Sequence, residues 1–204
     1  MNDASATPRR QERFAEGARV ILAIAAVMWV AEVVDSLDTH RLDGDGIRPR
    51  NVPHLYGVLA APFLHESFAH LLGNTVPFVV LGLAIAVSGA ARVLAVTAIV
   101  VLASGIGTWL TAPSGSVTVG ASGVVFGYAT YLISRGIFDH SAAELAVGVL
   151  VAALFGGALL WGLAPHPGVS WEAHLFGGIG GVLAARILTP ARRVPAATPS
   201  PRGP

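Results

Sequence analysis

Few side chains in this sequence can do chemistry, and they fall at suggestive places. Ser122 lies between small residues in VTVGASGVVFGY (117–128), His174 sits in AHLFGGIGG (173–181), and His70 and Asn74 end HESFAHLLGN (65–74). A serine hydroxyl becomes a nucleophile when a neutral imidazole stands within ~2.6–3.2 Å to take its proton. Ser122 and His174 are therefore candidates for nucleophile and base. Plainer readings exist for each residue. A serine in a membrane helix often bonds back to its own turn. A histidine near a helix end can be interfacial, and Asn74 can bond between helices. There is no cysteine, so disulfides, thiolate catalysis and Cys-ligated metal are excluded.

The elements that must position these residues are read from composition. The 204 residues are 53% hydrophobic and only 12% charged, with a mean hydropathy of +0.65. Soluble chains carry about 25% charge, so the expected class is an all-α integral membrane protein. Six apolar runs cover about 18–34, 69–88, 91–112, 117–134, 143–164 and 172–189, each near the ~20 residues that cross a bilayer. Alternating patterns are absent, which leaves helices, not a barrel, to satisfy the backbone in lipid. Three parts are expected: an N-terminal tail (1–17) that reads as disordered, a six-helix membrane domain (18–189) and a disordered C-terminal tail (190–204). Segment 36–67 is a long loop, too apolar for a free linker, expected to be partly embedded at the outer side.

All 13 basic residues are arginines. Ten of them (Arg9, Arg10, Arg13, Arg19, Arg92, Arg135, Arg186, Arg192, Arg193 and Arg202) fall on one side of a six-span topology. The positive-inside rule puts that side, and both termini, in the cytoplasm of a plasma membrane. The net charge of +1 gives no reason to expect nucleic acid. Spans two, four and six then all run inward. His70, Ser122 and His174 share the outer end, with Asn74 about 6 Å deeper at 1.5 Å per residue.

Spacing supports their meeting. His70 and Asn74 are i,i+4 and share a face. Gly123 and Gly127 form one G-x-x-x-G, and Gly177 and Gly181 another, three and seven residues after His174. Such pairs let membrane helices approach closely. Three other patterns fail. GASGV lacks the second glycine of a nucleophile elbow. HESFAH spaces its histidines i,i+5, about 140° apart, which is wrong for a shared zinc. GGIGG follows no strand, as a dinucleotide site requires. No metal and no cofactor are expected. A small transporter with a histidine relay would need broken helices or an inverted repeat, and neither is visible.

HESFAHLLGN, GASG and AHLFGGIGG together resemble the rhomboid family of intramembrane serine proteases, over about residues 50–188. The resemblance implies a rhomboid-like bundle with a long first outer loop, and a Ser122–His174 dyad without a carboxylate. It implies an oxyanion hole from His70, Asn74 and the Ser122 N–H, with Gly120 and His65 in support. Its substrates would be transmembrane proteins cut near the outer face of the bilayer. LAPHPGVSW (163–171) would be a mobile cap, and the host would be a bacterium. A non-catalytic relative that binds client transmembrane helices is the alternative. Two features depart from the family: Phe126 stands where a tyrosine is usual, and the long loop has GIRPR without a tryptophan.

Overall fold

The computed structural model describes residues 6–189. Six long helices carry it: α1 (Ala6–Leu37), α3 (Phe68–Ala86), α4 (Ala90–Thr111), α5 (Ser122–Asp139), α6 (Ala142–Gly162) and α7 (Trp171–Leu188). A single turn, α2 (Gly57–Ala60), lies between α1 and α3 among short 3-10 turns, and no strand occurs among the described residues. Serines 67, 141 and 170 open α3, α6 and α7 by accepting a backbone N–H from three residues on, the usual use of serine at a helix start.

Four helices are long and apolar enough to cross a membrane by length and composition: α1 from Arg9, α3, α4 and α6. The two that fall short, α5 and α7, are each 18 residues long. They are held inside the bundle, where a helix meets protein and needs less apolar surface. Eleven residues of α5 are buried, against three of the 21 in α6. The bundle is thus built around α5 and α7, with α6 at its margin. The core runs through Ile21, Phe78, Leu81, Ile85, Val96, Val100, Tyr128 and Leu132. Outside it, Val30, Val33, Leu150, Leu154 and Ile187 face away from the protein.

Backbone proximity fixes the α5–α7 pair. A methyl on Gly177 would run into the carbonyl of Gly123, and one on Gly181 into that of Gly127. Gly123 and Gly127 in turn lie against the carbonyls of Ala173 and Gly177. The two glycine pairs interlock.

Arginines gather at the end away from Ser122. Arg92 donates to the Leu188 carbonyl at 2.6 Å, closing the end of α7. Arg135 bonds Ser88 Oγ and pairs with Glu144, both at 2.8 Å.

Two boundaries differ from the sequence reading. The helix expected from residue 18 begins at Ala6, so most of the presumed disordered tail is an arginine-bearing extension of α1. The fourth helix begins at Ser122, not near 117, because residues 112–121 are held as a loop by partners far away in sequence. The segment 190–204 lies outside the described residues.

Gly177→Val is expected to force α5 and α7 apart and to lower stability by ~1–3 kcal/mol, the usual cost of overpacking. Thermal unfolding in detergent reads this. Gly73→Ala is the control: open space surrounds that position, and the melting temperature should hold or rise slightly.

Candidate active site

Three helices begin at one end of the bundle. Ser122 is the first residue of α5, His70 the third of α3 and His174 the fourth of α7. His174 Nε2 lies 2.8 Å from Ser122 Oγ. The other ring nitrogen, Nδ1, lies 2.7 Å from the carbonyl of Gly162. A carbonyl only accepts, so Nδ1 carries the proton and Nε2 is left to accept from the hydroxyl. Gly162 ends α6, where helix carbonyls lack intrahelical partners. The backbone thus does the orienting that a carboxylate performs elsewhere. Phe126 lies flat on His174, with ring centroids 4.1 Å apart and planes 6° apart. It is the departure from tyrosine noted above, and it keeps the stacking without the hydroxyl.

The backbone before Ser122 is bent and pinned. Gly120 has φ +113°, which a side chain rarely adopts. A methyl there would also crowd the His70 ring at 2.9 Å and Asn74 Nδ2 at 3.4 Å. The Gly120 N–H donates to Ala61 at 2.8 Å, and Thr118 exchanges two hydrogen bonds with Ile47. His65 Nε2 accepts the Ala121 N–H at 3.4 Å, and its ring meets His70 edge-on at 5.2 Å. The long loop between α1 and α3 is therefore the brace of the turn that presents Ser122.

Donors point at this turn. Asn74 is 6% exposed, and its Nδ2 is buried with no hydrogen-bond partner. An unpaired buried amide is costly, and here it stands beside Gly120. The Ser122 and Gly123 N–H groups, in the first turn of α5, have no intrahelical acceptor. Two openings reach the site. A cleft of about 540 Å³ passes over His70, between residues 112–119 and 165–172. An apolar groove of about 580 Å³ between α6 and α7 reaches Phe126 and His174.

Other contacts were not legible as functional in the sequence. Gly162 read only as a late residue of an apolar run, yet a methyl there would meet Phe126 and His174 Nδ1. Ser104 donates to the Ala173 carbonyl at 2.9 Å and ties α4 to the start of α7. The second arginine of GIRPR has a defined task. Arg50 donates to the Leu110 and Ala112 carbonyls and to Ser114 Oγ, each at 2.8 Å, and so fixes the loop that runs on to Gly120. Residues 166–169 of the expected cap form a tight turn, with Val169 N–H donating to the His166 carbonyl and Gly168 at φ +75°.

The support at His65 has a pH signature. Burial chiefly, and then the neighbouring His70, push the His65 pKa down to about 4 from 6.5. Between those values the unfolded chain binds a proton that the folded chain refuses, so stability rises with pH. Above 6.5 both states are neutral and the effect vanishes. Thermal unfolding should show the melting temperature falling as pH drops from 6.5 towards 4. His65→Gln, which does not titrate but still offers an acceptor, should flatten that dependence.

Comparisons with known proteins bear on this geometry. A family model described as Rhomboid domain matches residues 52–191. An uncharacterized protein of Mycobacterium leprae (strain TN) is 38% identical over 95% of this chain and 82% of its own length. An uncharacterized protein of Mycobacterium tuberculosis (strain ATCC 25618 / H37Rv) is 37% identical over 90% of this chain and 80% of its own. The Bacillus subtilis (strain 168) protein named "Putative rhomboid protease YdcA" is 31% identical over 80% and 83%.

Proposed function

The chain belongs to the rhomboid family, and on that premise we propose that it is an intramembrane serine endopeptidase working through Ser122 and His174. It is a multi-pass, all-α membrane protein. In this reading all six long helices cross the bilayer, both termini are cytoplasmic, and the Ser122 end faces outward. The observation that carries the proposal is the 2.8 Å contact between His174 Nε2 and Ser122 Oγ, with the Nδ1 proton held by Gly162.

Ser122 Oγ attacks the scissile carbonyl carbon as its proton passes to His174 Nε2. The carbonyl oxygen becomes an oxyanion, met by the Ser122 N–H, Asn74 Nδ2 and His70. The positive end of the α5 dipole lies beneath it. Collapse expels the amine, which takes the proton from His174 and leaves an acyl group on Ser122. Water, entering through the cleft over His70, then reverses the steps and frees the serine. The substrate is a transmembrane protein whose helix unwinds near the outer face. Gly123, Gly127, Gly177 and Gly181 hold the nucleophile to the base, Phe126 and His65 support it, and no cofactor takes part. A client-binding relative without activity would not need a serine and imidazole held in this register.

Reconstituted protein with a fluorogenic transmembrane substrate tests this. Ser122→Ala and His174→Ala should each abolish cleavage, and a fluorophosphonate should label wild type but not Ser122→Ala. Cleavage unchanged in either variant would sink the dyad and leave helix binding as the function. Asn74→Ala should lower kcat by ~10²–10³, the cost of one oxyanion donor, with KM little altered.

A further inference from the structure

The end of α1 and the turn after it collect acids away from the reacting pair. Asp35, His40 and Asp43 each bring one oxygen or nitrogen to within 4.8 Å of the others. His40 Nδ1 is 3.6 Å from Asp35 Oδ2 and 3.9 Å from Asp43 Oδ2. These separations are too long for hydrogen bonds. They are close to the edges of a coordination shell whose ligands sit ~2.0–2.2 Å from one ion.

A second observation points the same way. Glu32 lies one turn before Asp35 on the same face of α1. It is 1% exposed, and neither carboxylate oxygen has a hydrogen-bond partner. Asp35 is also 1% exposed. Its Oδ1 accepts the Leu42 N–H at 2.7 Å, while Oδ2 is unsatisfied, as is Asp43 Oδ1. No arginine compensates these acids among the described residues: Arg41 pairs with Asp38, and Arg48 donates to the Gly44 carbonyl. Buried carboxylates need a cation or dense hydrogen bonding. Near the end of α1 they also face the negative pole of the helix.

We propose that Asp35, His40 and Asp43, with Glu32 behind them, bind one divalent metal ion. An imidazole nitrogen beside carboxylate oxygens suits Zn²⁺ or Mn²⁺ better than the all-oxygen preferences of Ca²⁺ and Mg²⁺. This site lies apart from the reacting centre, where the mechanism proposed above uses no metal. The ion is structural. It closes the turn from α1 into residues 42–45, two residues before Ile47 grips Thr118, and so anchors the brace of the Ser122 turn.

The test reads binding, not cleavage, so its outcome is separable from that of the protease assay. Full-length protein in nanodiscs is stripped with a chelator and titrated with Zn²⁺, Mn²⁺, Ca²⁺ or Mg²⁺ alone. Calorimetry and thermal unfolding are followed. One Zn²⁺ or Mn²⁺ per chain is expected, with a melting temperature that climbs with ion concentration. His40→Ala, at a half-exposed position, should leave the stripped protein's melting temperature unchanged and weaken the ion at least ~10-fold. Asp35→Asn with Asp43→Asn should abolish binding, and Ser122→Ala should bind as wild type does. The proposal is overturned if no ion shifts unfolding, if only Ca²⁺ or Mg²⁺ does, or if His40→Ala binds with wild-type affinity. A wild-type protein that no ion stabilises, beside a stripped Asp35→Asn protein that is more stable, would identify a protonated acid cluster instead.

Discussion

Gly177 and Gly181 lay the backbone of α7 on the carbonyls of Gly123 and Gly127, leaving room for nothing larger than hydrogen. In lipid, helices gain little from burying apolar surface against one another, so close packing must hold them. Here the same packing sets chemical distance. Ser122 precedes Gly123 by one residue, and His174 precedes Gly177 by three. Any separation of the two backbones is transmitted directly to the hydroxyl and the imidazole. The 2.8 Å contact is a consequence of helix packing, and the side chains add only their rotamers.

Helix packing alone would leave Ser122 on a loose turn. A glycine at φ +113° can take many conformations, and the loop before α5 has no helix of its own to restrain it. Restraint comes from the segment between α1 and α3. Ile47 pairs with Thr118, Ala61 accepts from Gly120, and His65 accepts from Ala121. Arg50 reaches the carbonyls at the end of α4. One loop thus supplies partners to three of the four residues just before Ser122: Thr118, Gly120 and Ala121. With these bonds fixed, the unpaired Asn74 amide and the first N–H groups of α5 stay near one point before any ligand arrives. Preorganised donors of this kind are what a developing oxyanion needs.

Much of this was legible in the sequence, for identifiable reasons. Apolar run length gave the long helices, because a segment that crosses a bilayer needs about 20 apolar residues. The i,i+4 spacing of His70 and Asn74, and of the two glycine pairs, gave the faces. The start of α5 was misjudged because Val117 and Val119 read as apolar continuation, whereas the two hydrogen bonds between Ile47 and the intervening Thr118 keep this stretch out of the helix. The start of α1 was misjudged because a polar segment beyond the apolar run carries no periodic signal. Gly162 was invisible for a different reason. Its contribution is a backbone carbonyl, which any residue possesses, and only the fold says where it points.

That carbonyl gives the site an asymmetry. Ser122, His174 and the donors sit on α3, α5 and α7, bound into the interior. The group that fixes the His174 tautomer comes from α6, only three of whose residues are buried. α6 also forms one wall of the apolar groove that reaches His174. Leu159 of α6 and Leu163 just beyond it are the groove residues nearest in sequence to Gly162. If α6 gave way, the ring could turn and present Nδ1–H to the serine, which is a donor where an acceptor is required. Phe126 opposes this from the other side, because the stacked ring allows rotation in its own plane but resists tilt. The His174 ring is therefore held by Phe126 from the interior and by a carbonyl from a helix with only three buried residues, so its orientation depends on where α6 stands.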